Sequence, residues 1–265
     1  KKGDTLWTKI RNLFGKDVFE FPKPTILLKT LIRTGSYEND IVLDFFSGSC
    51  STVQALFELN IEMKINRKFI MVQLPELCKD NSEAQRLGYQ YICQVAIERI
   101  KKAGQKIKSE HPDADIDIGF KVFRTADTNI KWNSLMDLGQ VNMSQLEYTP
   151  DLIDFMPGAK DVDIVYELML RQRDVALSET LEQLSDIGSR TYLYASSYLV
   201  CLETEITEEL VSKLAELDPL PIKFIFRDSA FKDDIALKDE TFRRLKALIE
   251  KNAGTNKPAY TVEFI

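Results

Sequence analysis

Histidine, paired cysteines and long apolar runs are what this sequence has least of. The only histidine is His111, and the four cysteines form no C-x-x-C pair, so we expect no zinc site and interpret the thiols as buried or incidental. No apolar run approaches the roughly 18 residues of a membrane span, and no signal peptide opens the chain. These absences predict a cytoplasmic protein that has neither a membrane segment nor a structural metal.

The charge balance limits the partners that the chain can bind. A formal charge of -6 and a pI near 5.1 argue against a general nucleic-acid clamp, which needs clustered lysines and arginines facing the phosphates. Residues 1–16 are nevertheless basic, with Lys1, Lys2, Lys9, Arg11 and Lys16 against the single acid Asp4. That end is expected either to lie near DNA or to be a frayed terminus.

The most informative stretch is a short apolar run, Ile41–Leu43, which ends in an acid, Asp44. Small residues follow it, and Val53–Leu59 then has the apolar spacing of a helix. Strand, tight turn and helix form the unit that holds ligands in an open α/β sheet, at the carboxyl end of the strand. Such a turn can also merely join two elements, so its surroundings must decide between the two interpretations.

Ahead of this stretch the chain has the order F-x-x-P-K-P-x-x-L-L-x-x-L-I, which ends at Ile32, and the stretch itself reads V-L-D-F-F-x-G-S. Both segments resemble motifs X and I of the β-group amino-methyltransferases of DNA, and most of all the Mod subunit of type III restriction-modification systems. The resemblance covers nearly all of the chain, although only these two motifs are specific. It implies an adenine-N6 DNA methyltransferase that uses S-adenosylmethionine.

The resemblance also implies half of a cofactor site. The turn Ser47-Gly48-Ser49 would wrap the methionine part of S-adenosylmethionine, and Asp44 would fix this turn and contact the amino group. Lys23 and the first N–H groups of the helix after Pro24 would meet the carboxylate through charge and helix dipole. The implied cofactor-binding residues are Lys23, Pro24, Thr25, Asp44, Phe45, Phe46, Ser47, Gly48, Ser49 and Gln73, with the two phenylalanines as an apolar wall.

Two residues depart from the usual pattern. Gln73 stands near the end of the second predicted strand, where nucleoside-binding sheets usually place an acid for the ribose hydroxyls. Its side chain would reach the ribose, or it is an ordinary polar strand end. Cys50 stands where the family turn commonly has glycine, so its side chain could narrow the pocket or oppose a positive φ angle.

A third departure concerns catalysis. Members of the family use a D/N/S-P-P-Y/F/W tetrapeptide to accept from the target amine and to stack on the base. The sequence contains no such tetrapeptide, so we expect no catalytic residue in this chain. By resemblance, residues 1–20 would be the end of a target-recognition region, and the chain would be a piece of a longer enzyme that does not methylate by itself.

The predicted fold class is α/β, with a partial Rossmann-like methyltransferase core followed by a smaller α+β domain. The expected domains are residues 1–20, 21–138 and 139–265. Within the core we predict a helix over 82–105, with Arg99 pointing outward, and a strand over 118–123. The last domain is predicted to have one helix or two over 163–184, strands over 191–195, 198–202, 222–226 and 260–264, a helix capped by Thr207 and a helix over 240–251.

The implied partners are double-stranded DNA, contacted mainly through an upstream region, and possible second Mod and Res subunits. An alternative interpretation makes the chain a non-catalytic assembly module in which residues 140–265 mediate Mod-Mod or Mod-Res contacts. A third, an unrelated nucleotide-binding protein, would require a ribose-contacting acid or a G-K-[ST] phosphate loop, and neither is present. The acids of Asp228–Asp234 could hold a metal, but a solvated turn or partner contact is the favoured interpretation.

Overall fold

The structure is a computed structural model that describes residues 6–132, 151–232, 234–253 and 258–265, with side chains from residue 10 onward. It divides into two compact units, residues 1–120 and 121–265. The domain boundary predicted between residues 138 and 139 lies outside the described residues and stays a prediction. No helix in the described part of the chain is long and apolar enough to cross a membrane.

The first unit follows the predicted order of helix, strand, helix and strand through its centre. Pro24 directly precedes the helix that ends at Gly35, and the helix after the central turn begins at Ser51. The described elements are α1 (Leu6–Phe14), α2 (Thr25–Gly35), β1 (Ile41–Asp44), α3 (Ser51–Met63), β2 (Lys68–Met71), α4 (Glu83–Arg86) and α5 (Ile92–Glu110).

Strands β1 and β2 pair in parallel, with Asp44 opposite Met71, so their carboxyl ends lie side by side. Helix α3 is the crossover between them, and its apolar residues share a core cluster with Val42 and Phe69, which stand on one face of the sheet. Helix α2 packs against α3. The cofactor motifs therefore lie on neighbouring elements of one unit.

The predicted helix over 82–105 is wrong at its start. Helix α4 stops at Arg86, and Gly88 adopts a φ of +90°, a left-handed conformation that ends the helix. Helix α5 begins only at Ile92, where the Gln94 side chain accepts a hydrogen bond from the Tyr91 N–H at 2.9 Å. Sequence periodicity alone did not reveal this break.

The strand predicted over 118–123 is also wrong, because this segment has no strand partner in the described residues. The Gly119 N–H instead donates to the Asp117 carboxylate at 2.8 Å. Ile118 packs so closely on Gly104 of α5 that a Cβ at Gly104 would lie 3.1 Å from the Cβ of Ile118. Ile118 is thus partly covered by helix α5 and does not pair with a neighbouring strand in the part of the chain that the structure describes.

The second unit has a mixed sheet with strand order β3-β4-β5-β6-β7 in its described residues. The first three strands are antiparallel neighbours, and the last three are parallel. The described elements are α6 (Asp151–Asp154), α7 (Asp161–Arg171), β3 (Leu181–Gln183), β4 (Thr191–Tyr194), β5 (Tyr198–Cys201), α8 (Glu208–Ala215), β6 (Lys223–Phe226), a 3-10 turn (Asp228–Phe231), α9 (Ile235–Ala253) and β7 (Thr261–Phe264).

Helices cover both faces of this sheet. Helix α7 packs on the face of β5 that carries Val200, whereas α8 and α9 pack on the face that carries Leu199. The Thr207 cap of α8 is confirmed, since its hydroxyl accepts from the Leu210 N–H at 3.2 Å. The helix predicted over 163–184 is wrong beyond Arg171, because residues 181–183 pair with β4 as a strand.

Candidate functional site

The turn that leaves β1 is hydrogen-bonded to the end of the neighbouring strand. The Val72 N–H donates to the Asp44 carbonyl at 2.9 Å, and the Ser47 N–H donates to the Val72 carbonyl at 3.1 Å. These bonds extend the parallel pairing past the strand ends, so residues 45–49 leave the sheet at its carboxyl edge. This is the edge at which open α/β sheets bind ligands.

Both carboxylate oxygens of Asp44 face the turn and the helix that follows it. One accepts from the Thr52 hydroxyl at 2.6 Å, and the other accepts from the Phe46 N–H at 3.3 Å. Asp44 therefore joins the strand end to the first turn of α3. The role of fixing the turn fits this geometry, and Thr52 is a partner that sequence reasoning did not single out.

Gln73 also holds the turn. Its amide oxygen accepts from the Gly48 N–H at 2.7 Å, and its amide nitrogen donates to the Leu74 carbonyl at 3.2 Å. The acceptor at this position, the amide oxygen of Gln73, thus accepts a hydrogen bond from within the protein, from the glycine of the turn. The sequence pointed to the ribose and did not predict this contact.

Gly48 has a φ of +53°, which favours glycine, and the Phe19 ring lies 3.5 Å from the place that a Cβ would occupy. The contact brings the segment that leads into Pro24 directly against the turn. Phe19 precedes the predicted cofactor-binding residues and was missed as a partner of the turn. Its aromatic residue type at the start of the P-K-P order was the available signal.

Cys50 follows the turn at the N-cap of α3, with a φ of +56° although it has a side chain. It is 3% exposed and belongs to the core cluster of α3, so its thiol is buried, and the thiol forms a hydrogen bond with Ser47 of the turn. Burial raises the pKa of the Cys50 thiol above its ordinary value. The positive φ that the sequence placed in doubt is therefore adopted.

The aromatic pair Phe45 and Phe46 is exposed by 61% and 75%, with ring centroids 5.2 Å apart. Two large apolar rings beside a small-residue turn form a surface that can cover an apolar or aromatic group. Lys23 is exposed and Thr25 is buried at the start of α2. Pro24 is the N-cap of α2 and makes no side-chain capping bond, so the first N–H groups of the helix are not capped by it.

Arg99 is the principal residue that sequence reasoning placed wrongly. It was predicted on the outward face of its helix, but it is 1% exposed and its guanidinium group reaches the residues just after the turn. Its position fits the spacing of the buried stripe Val95, Ala96, Ile100 and Ala103, so periodicity carried the signal. Its charge led to the wrong assignment, because arginine is rarely fully buried.

The acids of residues 228–234 form no metal site in the described part of the chain, where no group of three metal-ligating side chains occurs. Asp228 pairs with Lys238, and the Asp234 carboxylate accepts from the Leu237 N–H at 3.0 Å at the start of α9. Asp233 lies outside the described residues. The two described acids thus have structural partners.

Comparison with known proteins points to a class. Residues 2–93 match the model of a family described as DNA methylase. The segment contains the helix α2, the turn after β1 and Gln73.

The relatives that the chain resembles include Mod subunits of type III systems. The chain is 39% identical to the type III restriction-modification enzyme StyLTI Mod subunit of Salmonella typhimurium over 118 residues, which are 44% of this chain and 18% of the relative. It is 30% identical to the EcoP15I Mod subunit of Escherichia coli over 238 residues, which are 89% of this chain and 34% of the relative. The chain thus spans only a fraction of these relatives, and its predicted resemblance to type III Mod subunits is confirmed.

Proposed function

We propose that this chain is the carboxyl-terminal part of a site-specific adenine-N6 DNA methyltransferase of a type III restriction-modification system. We further propose that its first unit holds S-adenosylmethionine as part of a Rossmann-like core. The observation that carries the proposal is the turn after Asp44, which lies at the carboxyl edge of a parallel sheet and is fixed from three sides. A β-group methyltransferase uses such a turn for its methyl donor.

The residues present fit this donor. Gly48 lets the turn adopt its positive φ, a backbone conformation that glycine takes without strain. Lys23 and the uncapped start of α2 supply positive charge suited to a carboxylate, and Phe45 and Phe46 supply an apolar wall. When bound, S-adenosylmethionine supplies an activated methyl group on its sulfonium.

Within this proposal Asp44 fixes the turn and faces the amino group of the donor. Gln73 lies at the end of β2, toward the ribose, and its amide oxygen also holds Gly48. Ser47 and Ser49 wrap the methionine part through their backbone.

The exposed face of the first sheet supports a partial core. Ile41 and Leu43 on β1 are 58% and 57% exposed, and Ile70 on β2 is 51% exposed. Parallel sheets are normally covered on both faces, whereas the described residues cover one. This apolar face fits packing against further elements of a larger methyltransferase core.

Methyl transfer to adenine also requires acceptors for the target amine and a ring that stacks on the base. The sequence has no D/N/S-P-P-Y/F/W tetrapeptide, so the chain supplies the donor half of the chemistry and is not expected to methylate DNA by itself. Double-stranded DNA and a Res subunit are the proposed partners of the whole protein. The net charge of -6 of this 265-residue chain fits DNA contact mainly through another region of the whole protein.

The assembly interpretation concerns the second unit. This unit has its own sheet with helices on both faces, so we propose that it can fold as a separate module and mediate Mod-Mod or Mod-Res contacts. Sedimentation of the chain with and without a Res subunit tests this role, and a sedimentation profile unchanged by Res would contradict it for that partner.

Calorimetric titration with S-adenosylhomocysteine tests the donor site. Gly48→Ala should weaken binding at least about tenfold, because a residue with a Cβ is strained at the positive φ of this position and shifts the backbone of the turn. Gly88→Ala is the matched control, since Gly88 also has a positive φ but nothing within 4 Å of its Cβ position, and it should change affinity by less than about twofold. Absence of binding by the unmodified chain would favour the assembly interpretation.

A further inference from the structure

Arg99 connects helix α5 to the residues just after the donor turn. Its Nη1 donates to the Ser49 hydroxyl at 2.8 Å, to the Ser51 hydroxyl at 2.7 Å and to the Ser49 carbonyl at 3.4 Å. Its Nε and Nη2 donate to the Gln54 amide oxygen at 3.1 and 2.9 Å. One side chain thus joins three residues that lie about fifty positions earlier in the sequence.

These acceptors are all neutral, which is unusual for a buried charge. A guanidinium taken out of water is costly unless it is paired and hydrogen-bonded, and here its bonds to Ser49, Ser51 and Gln54 go to hydroxyl, carbonyl and amide oxygens. Burial lowers the pKa of Arg99 to about 10, and the charge of Glu58 acts in the opposite direction. An apolar side chain would fill the same space without this penalty, so the reason for an arginine must lie in its contacts.

The contacts fall where the backbone is most constrained. Ser49 lies between Gly48 and Cys50, which both have positive φ angles. The Ser49 carbonyl is directed toward Arg99, and the Cys50 N–H donates to the Ser47 carbonyl at 2.8 Å. Both bonds act on the single peptide group that joins Ser49 to Cys50, and together they fix its orientation at the end of the turn.

We propose that Arg99 is a positioning residue that holds Ser49 and Ser51 in the conformation in which the turn binds the methyl donor. The proposal rests on the proposed function. It extends the donor site to a residue outside motifs X and I, on a helix that contacts the turn from the protein interior. Lysine cannot replace it, because an ammonium group offers its three donors from a single point, whereas the guanidinium reaches Gln54 and both serines at once.

The experiment compares Arg99→Lys with Arg67→Lys in the full chain. Arg67 is the matched control, because it is also buried, at 4% exposure, and donates to the Ser36 carbonyl at 3.1 Å. It directly precedes Lys68, which pairs with Ile41 at the opposite end of the sheet from Asp44. Titration with S-adenosylhomocysteine should show affinity lowered at least about tenfold by Arg99→Lys and by less than about twofold by Arg67→Lys.

A thermodynamic cycle separates positioning from general destabilisation. If Arg99 acts through Ser49, the two single changes are not independent. The double variant Arg99→Lys/Ser49→Ala should then lose less affinity than the product of the fold-losses of the two single variants. Equal effects of Arg99→Lys and Arg67→Lys on affinity, or multiplicative losses in the cycle, would overturn the proposal.

Hydrogen exchange of residues 45–56 gives a readout that needs no ligand. Arg99→Lys should raise exchange in this segment, and Arg67→Lys should leave it unchanged there. No binding by the unmodified chain would refute the donor site itself, and the exchange result would then decide separately whether Arg99 holds the turn. Unchanged exchange in Arg99→Lys would refute that role.

Discussion

Cys50 offers a direct test of the backbone at the start of α3. It has a φ of +56° and a ψ of 42°, the left-handed region in which a Cβ approaches the following carbonyl. This conformation costs a residue with a side chain about 1–2 kcal/mol. Glycine avoids that cost, but it loses about 0.5–1 kcal/mol more than alanine through the freedom of its unfolded chain.

The informative comparison is therefore Cys50→Gly with Cys50→Ala. Both variants lose the buried thiol, and they differ in backbone strain and chain entropy. The midpoints of the two estimates predict that Cys50→Gly is more stable than Cys50→Ala by roughly 0.75 kcal/mol. At an ordinary helical position the order of stability is reversed.

Ala55 provides the control in the same helix. It is fully buried in the interior of α3, so Ala55→Gly should destabilise the first unit by about 1 kcal/mol or more. Hydrogen exchange measured by mass spectrometry on α3 and β2 peptides reports the first unit separately from the second. A Cys50→Ala variant as stable as Cys50→Gly, or more stable, would refute the left-handed assignment.

Three further predictions concern single contacts. Gln73→Leu should destabilise the first unit by about 0.5–1.5 kcal/mol because Gly48 loses its acceptor, whereas Gln73→Glu should retain the bond, as urea unfolding would show. Thr52→Val should destabilise it by about 1.5–3 kcal/mol in the same assay, since the Asp44 carboxylate loses a hydroxyl donor. Burial raises the pKa of Cys201 to about 11, so the unfolded thiol ionises first and the second unit should lose stability as pH rises from about 9 to about 11. Cys201→Ala should remove this part of the pH dependence in urea unfolding at pH 8 and pH 10.5, and an unchanged slope would contradict the assignment.

The centre of the first unit could be predicted from sequence because its signals are local. Pro24 and Gly35 bound α2, and the apolar run before Asp44 directly precedes the turn. The break at Gly88 could not be predicted in the same way, since one glycine within a periodic pattern does not reveal whether its φ is positive. The segment beginning at Ile118 alternates like a strand, but alternation shows which residues share a face and not whether a partner strand exists.

In the second unit, the boundary between helix and strand depended on long-range pairing. Residues 181–183 form a strand because Glu182 lies opposite Leu193 on β4, a contact that no local pattern shows. The hairpin of β4 and β5 was predictable, since its two apolar runs flank the short turn at Ser196. The candidate site shows the same difference between local and long-range signals. Its motif residues were found by resemblance, whereas their hydrogen-bonding and packing partners were not.

Those partners explain how the turn keeps an unusual backbone. Gly48 and Cys50 both have positive φ angles, and a residue with a side chain persists there only when its surroundings determine its conformation. Gln73 holds the turn from the neighbouring strand, Phe19 covers it from the segment before α2, and Arg99 holds its far end from α5. Each contact comes from a different element, so the shape of the turn depends on all three elements together. A turn determined in this way has its shape before any ligand arrives, and ligand binding then requires little ordering of the chain.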